Sequence, residues 1–386
     1  MLKRLGPKRW ITFVMLVWGG ITMLLAACKN AAGLFATRFF LGLFEAGLFP
    51  GTVFIISLWY TRGEQALRNG LFFSTASIAG AFGGVLAYGL AKLDGRGGLH
   101  GWQWIFIIEG LITVMVSMAT YFLLPDFPSK ARFLDDDMKE LAEKRMVADA
   151  GPATEKHFSW RQFWMVYVDW KTFMHAIPYF LTMAPLYSLA LFIPSIVKGF
   201  NYDALTSQLM TAPCYAIACI FTVLAAFSSD RFRERGLHYA IPCLFGVVGY
   251  TLLIVTKESS VTVRYVCLTL TVSSVFSAVP AMVAWVSGSF GGHTKRAVAT
   301  ATIIGFGNSS GIVSGFMYPA QDAPQYVRGH SICVGMLSAA VVFILVLKWL
   351  YIRENKRREN LSPEEYAKEA QGEELCDRHP DFRFIA

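Results

Sequence analysis

Charge is scarce in this 386-residue sequence: 16% of its residues are Asp, Glu, Lys or Arg, against 54% hydrophobic ones. A soluble domain carries roughly 25% charge, so the shortage argues against a soluble fold, and the mean hydropathy of +0.44 points the same way. Seven cysteines are present (Cys28, Cys214, Cys219, Cys243, Cys267, Cys333 and Cys376), but they form no C-x-x-C pair. Most lie inside apolar stretches, which argues against a disulfide framework or a zinc site and makes them small core hydrophobes. The sequence has no H-E-x-x-H, nucleophile elbow or Walker A motif. Those absences argue against an enzyme and against ATP-driven transport. The net charge is +8, yet the lysines and arginines sit between apolar runs and do not cluster on a soluble face, so no nucleic-acid partner is expected.

What the sequence does have is apolar length. A helix crossing a bilayer needs about 20 mostly apolar residues, because its backbone groups must bond within their own segment. Ten runs qualify: 11–28, 33–58, 70–91, 103–124, 173–197, 207–228, 238–256, 262–287, 297–319 and 332–352. The expected fold is therefore all-α, a polytopic membrane helix bundle of about 10 transmembrane helices. Pro50-Gly51 inside the second run predicts a bend there. The basic start MLKRLGPKRW, its apolar run and Leu25-Ala26-Ala27-Cys28 resemble a signal peptide. The run is too long for the usual 7–15-residue core, so it reads as a span.

Charge sets the expected orientation. Short loops on one side hold most of the basic residues, among them Lys8, Arg9, Arg68, Arg231, Arg233, Arg235, Lys295 and Arg296, which makes that side cytoplasmic and places both termini there. A polar segment at 125–172 separates four spans in 1–124 from six in 173–352, and 353–386 reads as a cytoplasmic tail. Within the polar segment Leu134, Met138 and Leu141 recur at helical spacing, after Asp135, Asp136 and Asp137 and before Lys144 and Arg145. That pattern predicts a short amphipathic helix lying against the bundle, or a solvated linker helix with no role beyond spacing.

The two sides of the linker repeat one another. LKRLGPKRW pairs with SSDRFRERGLH, and TRGEQALRNG pairs with GGHTKRAVAT, each of the latter two introducing a glycine-rich span. Gly80, Gly83 and Gly84 in one span, and Gly305, Gly307, Gly311 and Gly315 in the other, sit at spacings that let helices approach closely.

With these loops on the page the sequence ATRFFLGLFEAGLFPGTVFIISLWYTRGEQALRNGLFFSTASIAGAFGG, followed by GWQWIFIIEG, resembles the fungal anion:cation symporter branch of the major facilitator superfamily. That branch includes allantoate, nicotinate and pantothenate permease-like proteins. The likeness continues through SSDRFRERG, TKRAVATATIIGFGNSSGI, APQYVRGH and RENKRREN, and departs at WVSGSFGGHTKRA, where Gly288 and Ser289 replace expected asparagines. The resemblance implies a twelve-helix fold whose first two helices lack counterparts here, so that residues 1–124 are a truncated N-terminal bundle.

Two ionisable residues stand inside the second apolar run, Arg38 and Glu45. Charges at bilayer depth cost about 2.5–3.5 kcal/mol on insertion scales and default to function. Seven residues apart, they share a helix face about 10.5 Å apart along the axis. Arg38 offers a planar cation to a carboxylate substrate, and a desolvated Glu45 can carry a proton; the family resemblance implies the same roles. Glu109 is a second proton-coupling candidate, or an anchor within its own bundle. Asn308, Tyr187 and Tyr179, the two tyrosines flanking Pro185 on an expected broken helix, are candidate substrate contacts or interhelical packing. Asp230, Arg231 and Arg233 resemble the family's gating loop, a charge network that latches one conformation, and serve also as topogenic charge. The expected activity is proton-coupled uptake of a small organic anion by a monomer in the lipid bilayer, with no cofactor besides protons as coupling ion. A transport-incompetent relative with a structural or regulatory role, or a gene-model fragment, is the alternative.

Overall fold

The structure, a computed structural model, describes residues 5–386 except 62, 132, 151–158, 201, 373 and 374; Arg62 of the TRGEQALRNG loop thus lies outside the described residues. Among these, all regular structure is helical, and ten helices are long and apolar enough to cross a membrane, one in each predicted run. They form two compact units, Met1–Trp59 with Gly83–Met146, and Tyr60–Phe82 with Val147–Ala386.

The first unit contains α1 (Pro7–Leu25), α2 (Ala31–Glu45), α3 (Leu48–Trp59), the end of α4 (Gln65–Ala91) and α5 (Gly101–Leu123). Asn30 starts α2 by accepting a hydrogen bond from the Gly33 N–H at 2.8 Å, a side-chain cap that satisfies an otherwise orphaned donor. The predicted bend is present but lies one turn before Pro50, at Ala46-Gly47. Proline removes the bond to the carbonyl four residues back, which is that of Ala46, and its ring crowds the same carbonyl. The crossing of α1 and α5 depends on glycine, since a Cβ on Gly110 would stand 2.7 Å from the Gly19 carbonyl oxygen and 2.9 Å from the Met23 nitrogen. Above it, the Gln103 amide donates to the Ala26 carbonyl at 2.6 Å and ties the end of α1 to the start of α5.

The helix predicted in the polar segment exists as α6 (Asp136–Ala150), with Asp136 and Asp137 in its first turn. It does not bury its apolar positions: Met138 is 53% and Leu141 66% exposed. Charged residues from Lys139 to Arg145 run around the helix and leave no continuous apolar face to dock.

The second unit opens with α7 (Trp160–Val168), an unpredicted nine-residue helix whose cap is Ser159, the acceptor from Gln162 N–H at 3.2 Å. Then follow α8 (Trp170–Lys198), α9 (Ala204–Leu209), α10 (Thr211–Phe232), α11 (Gly236–Val255), α12 (Val261–Gly288), α13 (His293–Asn308), α14 (Ser310–Ser314), α15 (Val327–Glu359) and α16 (Pro363–Glu369). From Thr271 to Gly288 every residue of α12 is buried, as expected of a helix that is apolar on all sides. The run predicted as 297–319 stops being helical at Ser314 and is interrupted after Asn308. Its glycines and serines are weak helix formers. The start of α4 packs antiparallel along α12. Ser287 donates to Gln65 Oε1 at 2.8 Å, Gly70 lies against Pro280, and the Phe73 and Phe276 rings are 6.0 Å apart.

The segment read as a tail is not loose. Residues 375–386 fold back onto this unit, where Cys376, Asp377, Phe382 and Phe384 are at most 5% exposed.

Candidate functional site

In the first unit the charges of α2 stand out because the helix buries none of its residues there. Arg38 and Glu45 are both exposed, so neither is locked into a packed core. The Arg38 guanidinium lies 5.8 Å from the Phe106 ring centroid on α5, within reach of a cation–π attraction. No salt bridge joins Arg38 to Glu45 among the described residues, although the field of Arg38 reaches the Glu45 carboxyl. Glu45 is the last residue of α2, directly before the break imposed by Pro50. The pair therefore presents a cation and a carboxyl, neither in a salt bridge among the described residues, on one face of an otherwise apolar helix. Glu109 is half-buried on α5, next to the Gly110 crossing, and its backbone carbonyl accepts from the Thr113 hydroxyl at 2.8 Å.

In the second unit the Tyr187 hydroxyl donates to Asn308 Oδ1 at 3.0 Å. Asn308 is exposed at the last position of α13, where the helix gives way and an amide can face open space. Tyr179 is fully buried, and its hydroxyl has no hydrogen-bond partner among the described residues. Its ring lies against Gly307, where an added Cβ would fall 2.0 Å from the ring. The helix carrying both tyrosines is not broken as expected: α8 runs continuously through Pro178, Pro185 and Pro194. Neighbouring helices can accommodate such prolines in a membrane bundle.

The SSDRFRERG loop is built around Asp230. Its Oδ1 accepts the Ala66 N–H at 3.1 Å and its Oδ2 the Leu67 N–H at 2.6 Å. A carboxylate thus caps the start of α4 from 163 positions away in the chain, placing negative charge at the positive end of the helix dipole. Arg235, which is 1% exposed, donates to Asp230 Oδ1 at 2.6 Å and to Ser229 Oγ at 2.8 Å. Of the three loop residues singled out by sequence, only Asp230 takes part. Arg231 and Arg233 are exposed and form no salt bridge among the described residues; Arg233 instead ends α10 in the left-handed conformation, φ 51°.

Sequence reasoning missed Arg235 and Glu234. Glu234 accepts the Leu237 N–H at 2.6 Å and His238 Nδ1–H at 2.7 Å, and it pairs with Lys348 of α15. Burial pulls its carboxyl upward, but the Leu237 N–H, Lys348 and His238 together hold it below the usual carboxylate range. The available signal was the alternation of charges running directly into Gly236, where α11 begins and a side chain has to turn inward.

Comparison with known proteins matches residues 1–316 to the family described as Major Facilitator Superfamily. The "MFS transporter prlL" of Fungal sp. (strain NRRL 50135) is 35% identical over 359 residues, covering 92% of this chain and 72% of that protein. The "High-affinity nicotinic acid transporter" of Saccharomyces cerevisiae is 29% identical over 394 residues, covering all of this chain and 72% of that protein. Among solved structures, the proton:xylose symporter XylE bound to 6-bromo-6-deoxy-D-glucose superimposes with a TM-score of 0.67 over 89% of this chain and 80% of that one. At 17% identity that likeness speaks to the fold alone.

Proposed function

Because the chain belongs to the Major Facilitator Superfamily and is a multi-pass membrane transporter, we propose that it carries out proton-coupled symport of a small organic anion by alternating access. The observation that carries this reading is the pair on α2, a cation and a carboxyl on one face of an apolar helix with neither tied into a salt bridge among the described residues. A planar guanidinium binds a carboxylate with two parallel hydrogen bonds. A carboxyl two helical turns away takes up a proton when desolvated and releases it when hydrated. Arg38 is thus assigned to the substrate and Glu45 to the proton, with Glu109 as a second proton site. Within the second unit, Tyr187 and Asn308 offer a neutral polar pair and the buried Tyr179 hydroxyl a further donor as candidate substrate contacts. The similarity to a nicotinic acid transporter supports a carboxylate as the substrate class. Protons are the only coupling partner in this reading. The protein acts as a monomer in the plasma membrane with both termini in the cytoplasm.

The test is uptake by the Arg38→Ala protein at matched surface level. A charge-assisted hydrogen bond contributes about 1.5–3 kcal/mol, so carboxylate uptake at low substrate concentration falls roughly 10- to 100-fold, and Arg38→Lys recovers part of it. Uptake by Arg38→Ala equal to that of the parent removes the arginine from the substrate site.

A further inference from the structure

Segment 375–386 is held at one end of the second unit by contacts to four helices and to Arg235, the residue before α11. Asp377, fully buried, accepts Lys295 Nζ at 2.6 Å and the Gly291 N–H at 3.3 Å through Oδ1, while its Oδ2 pairs with Lys171. Asp169 completes the cluster, 2.6 Å from Lys295 and 3.1 Å from Lys171. Two lysines and two aspartates thus neutralise one another out of contact with solvent. Arg358 of α15 gathers the next backbone, donating to the carbonyls of Phe382 at 2.7 Å and of His379 and Asp377 at 3.1 Å. Asn355 bonds Phe384 in both directions, at 2.8 and 3.0 Å, and the Phe384 ring stacks on Tyr351 at 4.4 Å. The loop before α13 makes room by carrying glycines: a Cβ on Gly291 would stand 2.6 Å from the Asp377 nitrogen, and one on Gly292 2.5 Å from Cys376 Sγ.

Beyond these anchors the segment reaches the elements that hold the start of α4. The Trp285 indole N–H donates to the Ile385 carbonyl at 2.7 Å, two positions before Ser287, the residue bonded to Gln65. The Arg235 N–H donates to the Ala386 carbonyl at 3.3 Å, and the Arg235 side chain is the one that clasps Asp230. The tie of Asp230 to Ala66 and Leu67 therefore rests on Arg235, which segment 375–386 contacts directly, and the tie of Ser287 to Gln65 lies two positions along α12 from Trp285, which it also contacts.

We propose that segment 375–386 is a built-in brace for the Asp230 latch: seated, it fixes Arg235 and Trp285 and keeps the start of α4 capped; withdrawn, it releases that end of α4. This inference rests on the reading of Asp230 as a latch. A buried network of this kind has two discrete arrangements, made or unmade, which suits a switch.

The experiment is hydrogen–deuterium exchange on the full chain in nanodiscs, read on the peptide covering residues 63–72, whose Ala66 and Leu67 amides the latch occupies. Three proteins are compared with the parent: Asp377→Asn, a chain ending at Phe384, and Asp230→Asn. Loss of the brace is expected to speed exchange of this peptide about ten-fold or more, through local opening of the α4 start, in both the Asp377→Asn and the shortened chain. The shortened chain keeps the whole Lys–Asp cluster, so it gives the answer if Asp377→Asn fails to fold. Unchanged exchange in the shortened chain overturns the brace. If Asp230→Asn speeds exchange and the shortened chain does not, the latch stands and the brace falls; if neither does, both fall.

Discussion

Lys295→Met lowers the melting temperature of the purified protein by about 10 °C, corresponding to a loss of about 3–5 kcal/mol in a unit of this size. Lys295 is 0% exposed and donates to Asp169 and to Asp377, each at 2.6 Å. Removing it leaves two buried carboxylates sharing Lys171 alone. A buried charge pair contributes little against a well-packed apolar substitute, but breaking one partner away leaves an uncompensated buried charge. Lys295→Arg keeps the charge and is expected to lose much less.

The acid dependence follows from Asp169. Burial raises its carboxyl, but Lys171 and Lys295 outweigh that and hold it below the usual carboxylate range. A group depressed in the folded state contributes stability that is complete above its unfolded value, about 3.9, and disappears as pH falls through its lower folded value. The stability that Asp169 lends the parent is therefore complete from neutral pH down to about 4 and is lost below it, and the gap in melting temperature to Lys295→Met narrows as acid neutralises the buried carboxylates. Thermal scans of the two proteins across that window check both statements. A gap that widens in acid would mean that the cluster is held together by something other than these ion pairs.

Asp230→Ala is the second large effect. The substitution deprives two backbone N–H groups of their acceptor and strands Arg235, 1% exposed, without its carboxylate. The cost is about 3–5 kcal/mol for the buried cation, and the start of α4 bears it. Asp230→Asn keeps one acceptor oxygen and loses the charge, so its effect is smaller. The functional signature is a changed initial uptake rate at unchanged surface level, measured with surface-labelled protein as the denominator. A simple topogenic charge would instead change how much protein reaches the surface and leave the rate per molecule alone.

Those two sites show what sequence reveals and what it does not. The ten spans were legible because crossing a bilayer forces a long apolar run whatever the neighbours are. The bend in the second run was legible as a fact, and its offset to Ala46-Gly47 follows from the reach of a proline ring to the carbonyl four residues back. Arg38 and Glu45 were legible as one face of a helix, because two full turns fix direction. Asp230 was legible as a member of a charged loop, but its use as a cap for α4 was not, since the partners lie 163 and 164 positions away. The Lys–Asp cluster was invisible for the same reason: Asp169 and Lys171 open α8, but Lys295 lies 126 positions from Asp169 and 82 from Asp377, and DRHPDFRFIA carries no periodicity of its own. Helix α7 was missed because WRQFWMVYV is only nine residues long and runs into the next span. Leu134, Met138 and Leu141 had the right spacing for docking, but spacing does not report how much area three side chains bury.

The measurement that bears most directly on proton-coupled anion symport is uptake of a panel of labelled small carboxylates into proteoliposomes under an imposed pH gradient. The account predicts accumulation when the outside is acid, collapse of that accumulation by a protonophore, and its loss in Glu45→Gln while substrate still exchanges across the membrane. Accumulation that is indifferent to the pH gradient, in the parent and in Glu45→Gln alike, would contradict it.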